Sequence, residues 1–434
     1  MEYRDIFEEW NTYAGKKELL SRDINLDSII ENSGKKIIAI TGVRRAGKTS
    51  VLMLLLQRLQ FDGKKAIYIN LEDSRLKNYP SILDEVLKWF GDEGFILLDE
   101  ITNSNDWEGW LARNHELLKG KLHIIISSSR SAIIAPNKSL RGRILAYEIF
   151  PLSFSEFLRF KKINREITTA GYGKLERALE EYVKFGGFPE VVLTENQLDK
   201  IKIINSYFND IIGLDIAEMS RHDLNTVEVF SRYVLQSGYF SASKCLNFLK
   251  TLGYKIGKEK LLELESFSAA SYLFYFVPIF SNSIKNRLQY PRKSYSGDLG
   301  FYYATTGKTD LGRSYETLVF LELKRRLQEN QQIYYWKNKD NFETDFLIRR
   351  GMNNVEAIQV AYDIEGINTK NRELRSLVEL NHELGKINSA VITKNIEKTV
   401  VVDEVKIKFI PILKWVLEYT KLTKEIRDAG QQNH

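Results

Sequence analysis

The chain has 434 residues, of which 43% are hydrophobic and 28% are charged, and its formal net charge is +6. Because domains usually hold roughly 100–200 residues, this length predicts several domains rather than one core. The composition is typical of a globular protein, and no apolar run reaches the roughly eighteen residues that a membrane-spanning helix needs. The excess of basic residues permits contact with nucleic acid but does not require it.

Cysteine, histidine and the N-terminal residues exclude further classes of protein. A single cysteine, Cys245, cannot form an internal disulfide, and the five histidines lack the spacing of a zinc site. The first ten residues, MEYRDIFEEW, are acidic and amphipathic, unlike a secretory signal or a transit peptide. We therefore expect a cytoplasmic protein that does not enter a membrane.

The first part of the chain shows the pattern of an α/β domain. Residues 1–34 are a helical lead-in, and from residue 35 to residue 150 short apolar runs alternate with amphipathic helices. This alternation predicts a parallel sheet covered by helices on both faces. The predicted strands are residues 36–41, 66–70, 95–98, 122–127 and 144–150, and the predicted helices are residues 49–59, 81–90 and 107–118.

The rest of the chain carries two further patterns. Between residues 151 and 294 the apolar spacing is helical, and residues 240–280 suit a small winged-helix unit. Later, a long helix at 314–328 and a polar helix at 369–384 accompany strand-like pieces at 333–336, 344–348, 355–360, 390–393 and 406–410. The predicted domains are residues 1–34, 35–150, 151–225, 226–296 and 297–434.

Residues 42–49, with the sequence GVRRAGKT, lie between a predicted strand and a predicted helix. Two glycines let successive amides point at a triphosphate, and the helix adds its positive N-terminal end. Lys48 would neutralise the β- and γ-phosphates, and Thr49 would place its hydroxyl on Mg²⁺. We therefore predict ATP and Mg²⁺ as cofactors. The predicted nucleotide contacts of this loop are Gly42, Val43, Arg44, Arg45, Ala46, Gly47, Lys48, Thr49 and Ser50.

A second acidic element follows the loop at a distance of about fifty residues. The apolar strand at 95–98 runs directly into Asp99 and Glu100. Such a pair can deliver one carboxylate to Mg²⁺ and leave the next to orient water for in-line attack. Asp99 is therefore predicted to bind the metal, and Glu100 is predicted to be the catalytic base.

Several strings together resemble one family: GVRRAGKTS, ILLDE, SSSR, LRGR, PLSFSEF and GGFPEVV. They are similar to archaeal-type AAA+ P-loop ATPases that carry a winged-helix domain and a C-terminal restriction-endonuclease-like domain. The likeness covers most of the chain. It implies a sheet in which strand 122–127 lies between the two strands of the site, followed by a helical lid at 151–225.

Three more sites are implied by the resemblance, and each has a plain alternative. Ser127 or Ser128 would sense the γ-phosphate, although serines at a strand end need no ligand. Arg141 and Arg143 would reach the nucleotide of a neighbouring subunit, or they would only form a solvated turn. Pro189 would contact adenine, or its glycine-rich element would only break a helix.

The last domain offers a second set of acids. Glu316, Asp345 and Glu356 reproduce the carboxylates with which restriction-endonuclease-like folds hold Mg²⁺. Where that pattern usually ends in acid-x-lysine, this chain has Gln359, which removes an ammonium but can still orient water. The domain is therefore either an active nuclease or a remnant that binds or scaffolds.

Basic residues accompany the predicted winged helix, and they would contact DNA phosphates or form a solvated face. They are Lys244, Lys250, Lys255, Lys258, Lys260, Arg287, Arg292 and Lys293. The leading hypothesis is an ATP-hydrolysing nucleotide switch that acts on nucleic acid, with DNA and further copies of the chain as candidate partners. The alternatives are an ATP-gated nuclease and an ATPase with a non-catalytic C-terminal interaction domain.

Overall fold

The computed structural model describes residues 3–76, 79, 81–129, 140–166, 168–328, 330–362 and 367–417. The chain forms two compact units, residues 1–151 with 270–272 and residues 152–269 with 273–434. Within the described ranges, no helix is both long enough and apolar enough to cross a membrane.

The first unit is built on a five-stranded parallel sheet. Its strands are β1 (Ile37–Thr41), β2 (Ala66–Asn70), β3 (Gly94–Asp99), β4 (Leu122–Ser127) and β5 (Ile144–Glu148). They lie in the order β2-β3-β4-β1-β5, and all neighbouring pairs are parallel. Strands β1 to β4 are buried along most of their length, which is why they appear as continuous apolar runs. The predicted parallel sheet is confirmed, and β4 lies between β3 and β1 as predicted.

Helices cover this sheet and share its core. They are α1 (Tyr3–Lys16), α2 (Leu26–Ser33), α3 (Lys48–Phe61), α4 (Ile82–Phe90) and α5 (Trp107–Leu117), with a 3₁₀ turn at Ile101–Asn103. Ile6 and Phe7 of α1 are buried in the same cluster as Ile96 of β3. Asn25 caps α2 because its side chain accepts a hydrogen bond from the Ser28 amide at 3.0 Å. The helical lead-in thus packs on the core of the sheet.

The second unit begins with a helical region. Its elements are α6 (Phe154–Phe160), α7 (Thr169–Phe185), α8 (Pro189–Leu193), α9 (Gln197–Asp210), a π-helical turn at Ile211–Ala217, and α10 (Glu218–Ser220). Ser153 and Glu156 form a capping box in which each side chain accepts a hydrogen bond from the other residue's amide. Pro189 begins α8, where a missing amide hydrogen is tolerated.

A small three-stranded antiparallel sheet follows. Its region contains α11 (Leu224–Gln236), β6 (Tyr239–Phe240), α12 (Ala242–Thr251), α13 (Lys258–Ala270), β7 (Phe274–Val277), α14 (Ile284–Gln289) and β8 (Arg292–Ser296). The strand order is β6-β8-β7, so the last strand lies between the first two. Cys245 is fully buried in α12, as expected for a core thiol.

The C-terminal part carries a six-stranded mixed sheet. Its elements are α15 (Gly300–Thr306), α16 (Leu311–Arg326), β9 (Gln331–Lys337), β10 (Glu343–Arg350), β11 (Asn353–Ala361), α17 (Ile367–Leu384), β12 (Asn388–Thr393), β13 (Lys398–Val402) and β14 (Val405–Pro411). The strand order is β13-β14-β12-β11-β10-β9. Strands β9 to β11 form an antiparallel meander, and β11 pairs with β12 in parallel. The predicted α/β class is confirmed, although β13 was not predicted.

Candidate active site

The loop between β1 and α3 turns tightly through three residues with positive φ angles. Gly42 and Gly47 have φ angles of 133° and 100°, and Arg45 is left-handed at 69°. A Cβ atom on Gly42 would lie 2.1 Å from the carbonyl oxygen of Ile149. Glycine is therefore required at position 42 by a close backbone approach as well as by the turn.

Lys48 points into this loop from the first turn of α3. It is 5% exposed, and its Nζ donates hydrogen bonds to the carbonyl oxygens of Gly42 at 3.0 Å and Val43 at 3.2 Å. Arg22 supports the loop from the N-terminal segment, because its guanidinium donates to the carbonyl oxygens of Ala46 at 2.9 Å and Phe150 at 2.8 Å. The ammonium is thus held inside the loop, where a phosphate chain would meet it.

The carboxylate of Asp99 is held by neutral hydrogen-bond donors on both sides. Tyr68 of β2 donates its hydroxyl to Oδ2 at 2.8 Å, and Ser127 of β4 donates its hydroxyl to Oδ1. Asp99 is 2% exposed and Tyr68 is fully buried. Burial and the charge of Asp99 raise the pKa of Tyr68, so the phenol stays a donor.

Glu100 follows in a left-handed conformation with a φ of 50°. Its amide donates to the Ser127 hydroxyl at 2.9 Å, so one serine holds both acidic residues. Its carboxylate accepts a hydrogen bond from the Ser129 amide at 3.3 Å. Burial raises the pKa of Glu100, and the nearby ammonium of Lys48 offsets this only in part. A carboxylate with a raised pKa near a phosphate-binding loop is suited to accept a proton from water.

The serines at the end of β4 are buried but differ in their partners. Ser127 bonds to Asp99, whereas the Ser128 hydroxyl lies 3.5 Å from the Thr102 hydroxyl. Both serines are 0% exposed. Arg130, the last residue of the SSSR string, lies outside the described residues. The role of Ser128 as a phosphate sensor stays a prediction.

Arg141 and Arg143 lie in the turn that precedes β5. Arg143 forms an ion pair with Glu116 at 3.1 Å, and Arg141 is exposed. Since Ile37 pairs with Ile144 in parallel register, this turn is at the amino end of the strands. The phosphate loop follows the carboxyl end of β1. The two arginines and the loop of one chain therefore lie at opposite ends of the parallel strands.

Pro189 lies in the second unit, after a glycine pair with a clear packing role. A Cβ on Gly187 would lie 2.4 Å from the Leu152 carbonyl oxygen, and a Cβ on Gly186 would lie 1.8 Å from Oδ1 of Asp298. Asp298 accepts hydrogen bonds from the amides of Gly187 and Gly300, both at 2.8 Å. Packing therefore explains both glycines, and the adenine contact of Pro189 stays a prediction.

The structure brings together only part of the second acid set. Glu316 and Asp345 meet at the ammonium of Lys293, whose Nζ lies 2.9 Å and 2.6 Å from their oxygens. The third carboxylate at this ammonium is Glu343, at 3.2 Å. Glu356 instead lies opposite Ile348 in the strand pairing.

Gln359, not Glu356, is the residue of β11 beside Asp345. Its side-chain oxygen accepts a hydrogen bond from the Asp345 amide at 3.1 Å, and its amide group donates to Glu373 at 2.5 Å. Glu356 lies three residues from Gln359 along β11. It is not beside Asp345, because the register of β10 and β11 places Glu356 opposite Ile348. Across the described part of the chain, no group of three or more His, Cys, Asp or Glu side chains is arranged to hold a metal ion.

Comparison with known proteins places the chain in a family. Residues 34–158 match the family described as AAA domain, and residues 176–312 and 311–415 match two domains of unknown function, DUF8612 and DUF4143. The chain is 33% identical over 424 residues to the uncharacterized protein MJ1544 of Methanocaldococcus jannaschii, covering 94% of this chain and 93% of that protein. The chain belongs to the MJ1544 family. Its residues 34–158 form an AAA domain of the P-loop class.

Other matches are more distant. An uncharacterized protein of Haemophilus influenzae is 25% identical over 420 residues, which cover 93% of this chain and 100% of that protein. A solved structure of AMPPCP-bound DnaA from Aquifex aeolicus has a TM-score of 0.29 and 14% identity, over 57% of this chain and 91% of that one.

The residues of the AAA domain fit a nucleotide with Mg²⁺. Thr49 is exposed at the start of α3, so its hydroxyl is open to a ligand. The Asp99 carboxylate is held by two neutral donors, the hydroxyls of Tyr68 and Ser127, and neither of them brings a positive charge. A hydroxyl and a carboxylate beside phosphate oxygens are the ligands that Mg²⁺ prefers.

Sequence reasoning missed four residues that shape these sites. Each forms a hydrogen bond to a partner far away along the chain. The separation is 31 residues for Tyr68, 24 for Arg22, 52 for Lys293 and 111 for Asp298. A tyrosine inside an otherwise aliphatic strand was a signal for Tyr68, because a buried phenol needs a partner. The other three carried no local signal.

Proposed function

We propose that this AAA protein binds ATP with Mg²⁺ in the loop at residues 42–50 and hydrolyses it. The observation that supports the proposal is the proximity of the buried Lys48 ammonium to the half-buried Glu100 carboxylate. Lys48 is held within the loop, and its charge acts on the Glu100 carboxylate against the effect of burial. A cation for phosphate and a base for water are the two charged groups that phosphoryl transfer to water requires.

Each residue would have a separate role in this reaction. The amides of the loop and Lys48 would hold the β- and γ-phosphates, while Thr49 and Asp99 would hold Mg²⁺. Mg²⁺ supplies positive charge to the phosphate oxygens when bound. Glu100 would accept a proton as the water oxygen attacks the γ-phosphorus and the bond to the bridging oxygen of ADP breaks. Ser128 would sense the γ-phosphate from the end of β4.

Two substitutions test this assignment. Lys48→Ala should abolish ATP binding, since the phosphates lose their cation. Glu100→Gln should retain ATP binding but lower the hydrolysis rate about 10²- to 10⁴-fold, the usual contribution of a general base. Glu93→Gln is the matched control, because Glu93 is exposed at the other end of the same strand. Hydrolysis by Glu100→Gln at the wild-type rate would refute the role of Glu100.

We propose that Arg141 and Arg143 act on the nucleotide of another copy of the chain. Their turn and the phosphate loop of the same chain lie at opposite ends of the parallel strands. This separation supports a role for the arginines at the nucleotide of a neighbouring copy. A mixture of Lys48→Ala chains with Arg141→Ala/Arg143→Ala chains should then regain hydrolysis, because one chain supplies the arginines and the other supplies the loop. A mixture as inactive as its components would count against this role.

We also propose that Pro189, at the start of α8, contacts the adenine of the bound nucleotide.

We further propose that residues 224–296 form a winged helix that contacts nucleic acid, in particular DNA. The order helix, strand, two helices, strand, short helix and strand, with β8 in the centre of the sheet, supports this assignment. Its exposed lysines are Lys244, Lys250, Lys255, Lys258 and Lys260. By contrast, Arg292 is paired with Glu265 and Lys293 is buried, so these two are poor candidates for phosphate contacts.

Gel shifts at several salt concentrations test this interface. Phosphate contacts predict an affinity that falls steeply with salt, and replacing Lys255, Lys258 and Lys260 by alanine should reduce that slope. Replacing Lys64, Lys119 and Lys121, which are exposed in the first unit, is the matched control. No shift at low salt would refute the proposal.

The C-terminal domain has the order helix, three antiparallel strands, helix and parallel strand, from α16 to β12. This order supports a restriction-endonuclease-like fold, as the resemblance of the sequence implies. A fold does not establish an activity, because function depends on the residues of the site.

A further inference from the structure

Lys293 is the centre of the acid cluster in the C-terminal half of the chain. It comes from β8 of the three-stranded sheet, whereas its partners come from α16 and β10. Its Nζ is 2.6 Å from Asp345, 2.9 Å from Glu316 and 3.2 Å from Glu343, and its side chain is 4% exposed. An ammonium has three donors, and each one has a carboxylate partner here.

Neighbouring groups hold both the ammonium and the acids in place. The rings of Tyr239 and Tyr335 lie 5.6 Å and 6.0 Å from the Lys293 Nζ. Tyr295 donates its hydroxyl to Glu316 at 2.6 Å, and Tyr239 donates its hydroxyl to Glu343. The second oxygen of Asp345 accepts a hydrogen bond from the Val360 amide at 2.8 Å. The cluster is therefore a built ion-pair network and not a loose group of acids.

The distances around the ammonium fit an N–H donor better than a metal ion. The N–O distances of 2.6 to 3.2 Å are those of charge-assisted hydrogen bonds. Mg²⁺ needs oxygens at about 2.0–2.1 Å with near-octahedral geometry, so the carboxylates would have to move inward and the ammonium would have to leave. Gln359, the residue of β11 beside Asp345, is engaged with Glu373 and the Asp345 amide. These residues do not fit the metal that the fold implies.

We propose that Lys293 is a built-in counter-ion that takes the place of a divalent cation in this domain. The cluster then joins β8 to α16 and β10, and the C-terminal domain binds no catalytic metal and cuts no nucleic acid. The inference does not depend on the proposed ATP hydrolysis, because none of its residues belongs to the phosphate loop. Lys48→Ala tests hydrolysis in a separate experiment.

A metal titration of the full-length chain without nucleotide tests the proposal. Wild type and Asp345→Asn should show the same change in Tm with millimolar Mn²⁺, and neither should cleave supercoiled plasmid. An increase in Tm or a cleavage activity that Mn²⁺ produces in wild type and that Asp345→Asn removes would overturn the proposal. This comparison does not require Lys293 variants to fold.

Removing the ammonium gives an independent test. Lys293→Met keeps the length of the stem but leaves buried carboxylates without a counter-charge, so Tm should fall clearly. Lys293→Met/Asp345→Asn should recover part of that loss, because one uncompensated charge is gone. Lys285→Met is the matched control, since Lys285 is exposed on α14. A Lys293→Met chain with the wild-type Tm would overturn the counter-ion role.

Discussion

Tyr68→Phe removes one hydroxyl from the AAA site and leaves the ring in place. The lost hydrogen bond joins the Tyr68 hydroxyl to Oδ2 of Asp99 at 2.8 Å, in a fully buried position. Hydrogen bonds to charged groups contribute about 1.5–3 kcal/mol. If all of this free energy orients the Asp99 carboxylate toward Mg²⁺, its loss lowers the apparent affinity for Mg²⁺ about ten- to a hundredfold. The conversion is that about 1.36 kcal/mol corresponds to a factor of ten.

The assay is steady-state ATP hydrolysis across a range of free Mg²⁺ concentrations. The Mg²⁺ concentration for half-maximal rate should rise by that factor, while the rate at saturating Mg²⁺ should change less, because Glu100 is untouched. Tyr147→Phe is the matched control, since the Tyr147 hydroxyl bonds to Asn32 at 2.9 Å on the edge strand of the same sheet. If Tyr68→Phe has the Mg²⁺ dependence of wild type, the hydrogen bond does not position Asp99.

Three more predictions concern single groups. Gly42→Ala should abolish ATP binding because its Cβ would lie 2.1 Å from the Ile149 carbonyl oxygen, whereas Gly63→Ala, also at positive φ but in open space, should retain binding in a nucleotide-binding assay. Because burial raises the pKa of Glu100 above 4.5 and only the ionised form accepts a proton, hydrolysis should be lost on acidification at a pH above that value; a loss only below it would contradict this account. Gly187→Ala should lower the thermal stability of the second unit, since its Cβ would lie 2.4 Å from the Leu152 carbonyl oxygen, whereas Gly173→Ala in α7 should be neutral or stabilising; equal Tm values would refute the packing role.

The features that the sequence predicted well are local ones. The phosphate loop depends on glycines within a few residues of each other, and the Asp99-Glu100 pair depends on one apolar strand. The strands of the first sheet were predicted closely because burial on both faces makes them continuous apolar runs. Strand β13 (KTVVV) was missed although its threonine and valines favour a strand, because it is only five residues long and stays largely exposed.

The features that the sequence did not predict depend on tertiary contacts. Glu356 looked like the partner of Asp345, but the register of β10 and β11 brings Gln359 there instead. A shift of a few residues along a strand is decided by cross-strand packing, which no short motif contains. The same limit applies to Lys293, which the sequence assigned to a basic surface and the structure buries among acids.

The two acid sites differ in what holds their carboxylates, and this difference predicts their functions. Asp99 is held by the hydroxyls of Tyr68 and Ser127, which fix its orientation and bring no counter-charge. Asp345 is held by the ammonium of Lys293, which supplies a hydrogen bond and a counter-charge, although burial still raises the pKa of Asp345. In the proposal above, this ammonium occupies the position that a divalent cation would take between Asp345, Glu316 and Glu343. We therefore propose that the same residue type on a strand serves metal binding in the first unit and packing in the second.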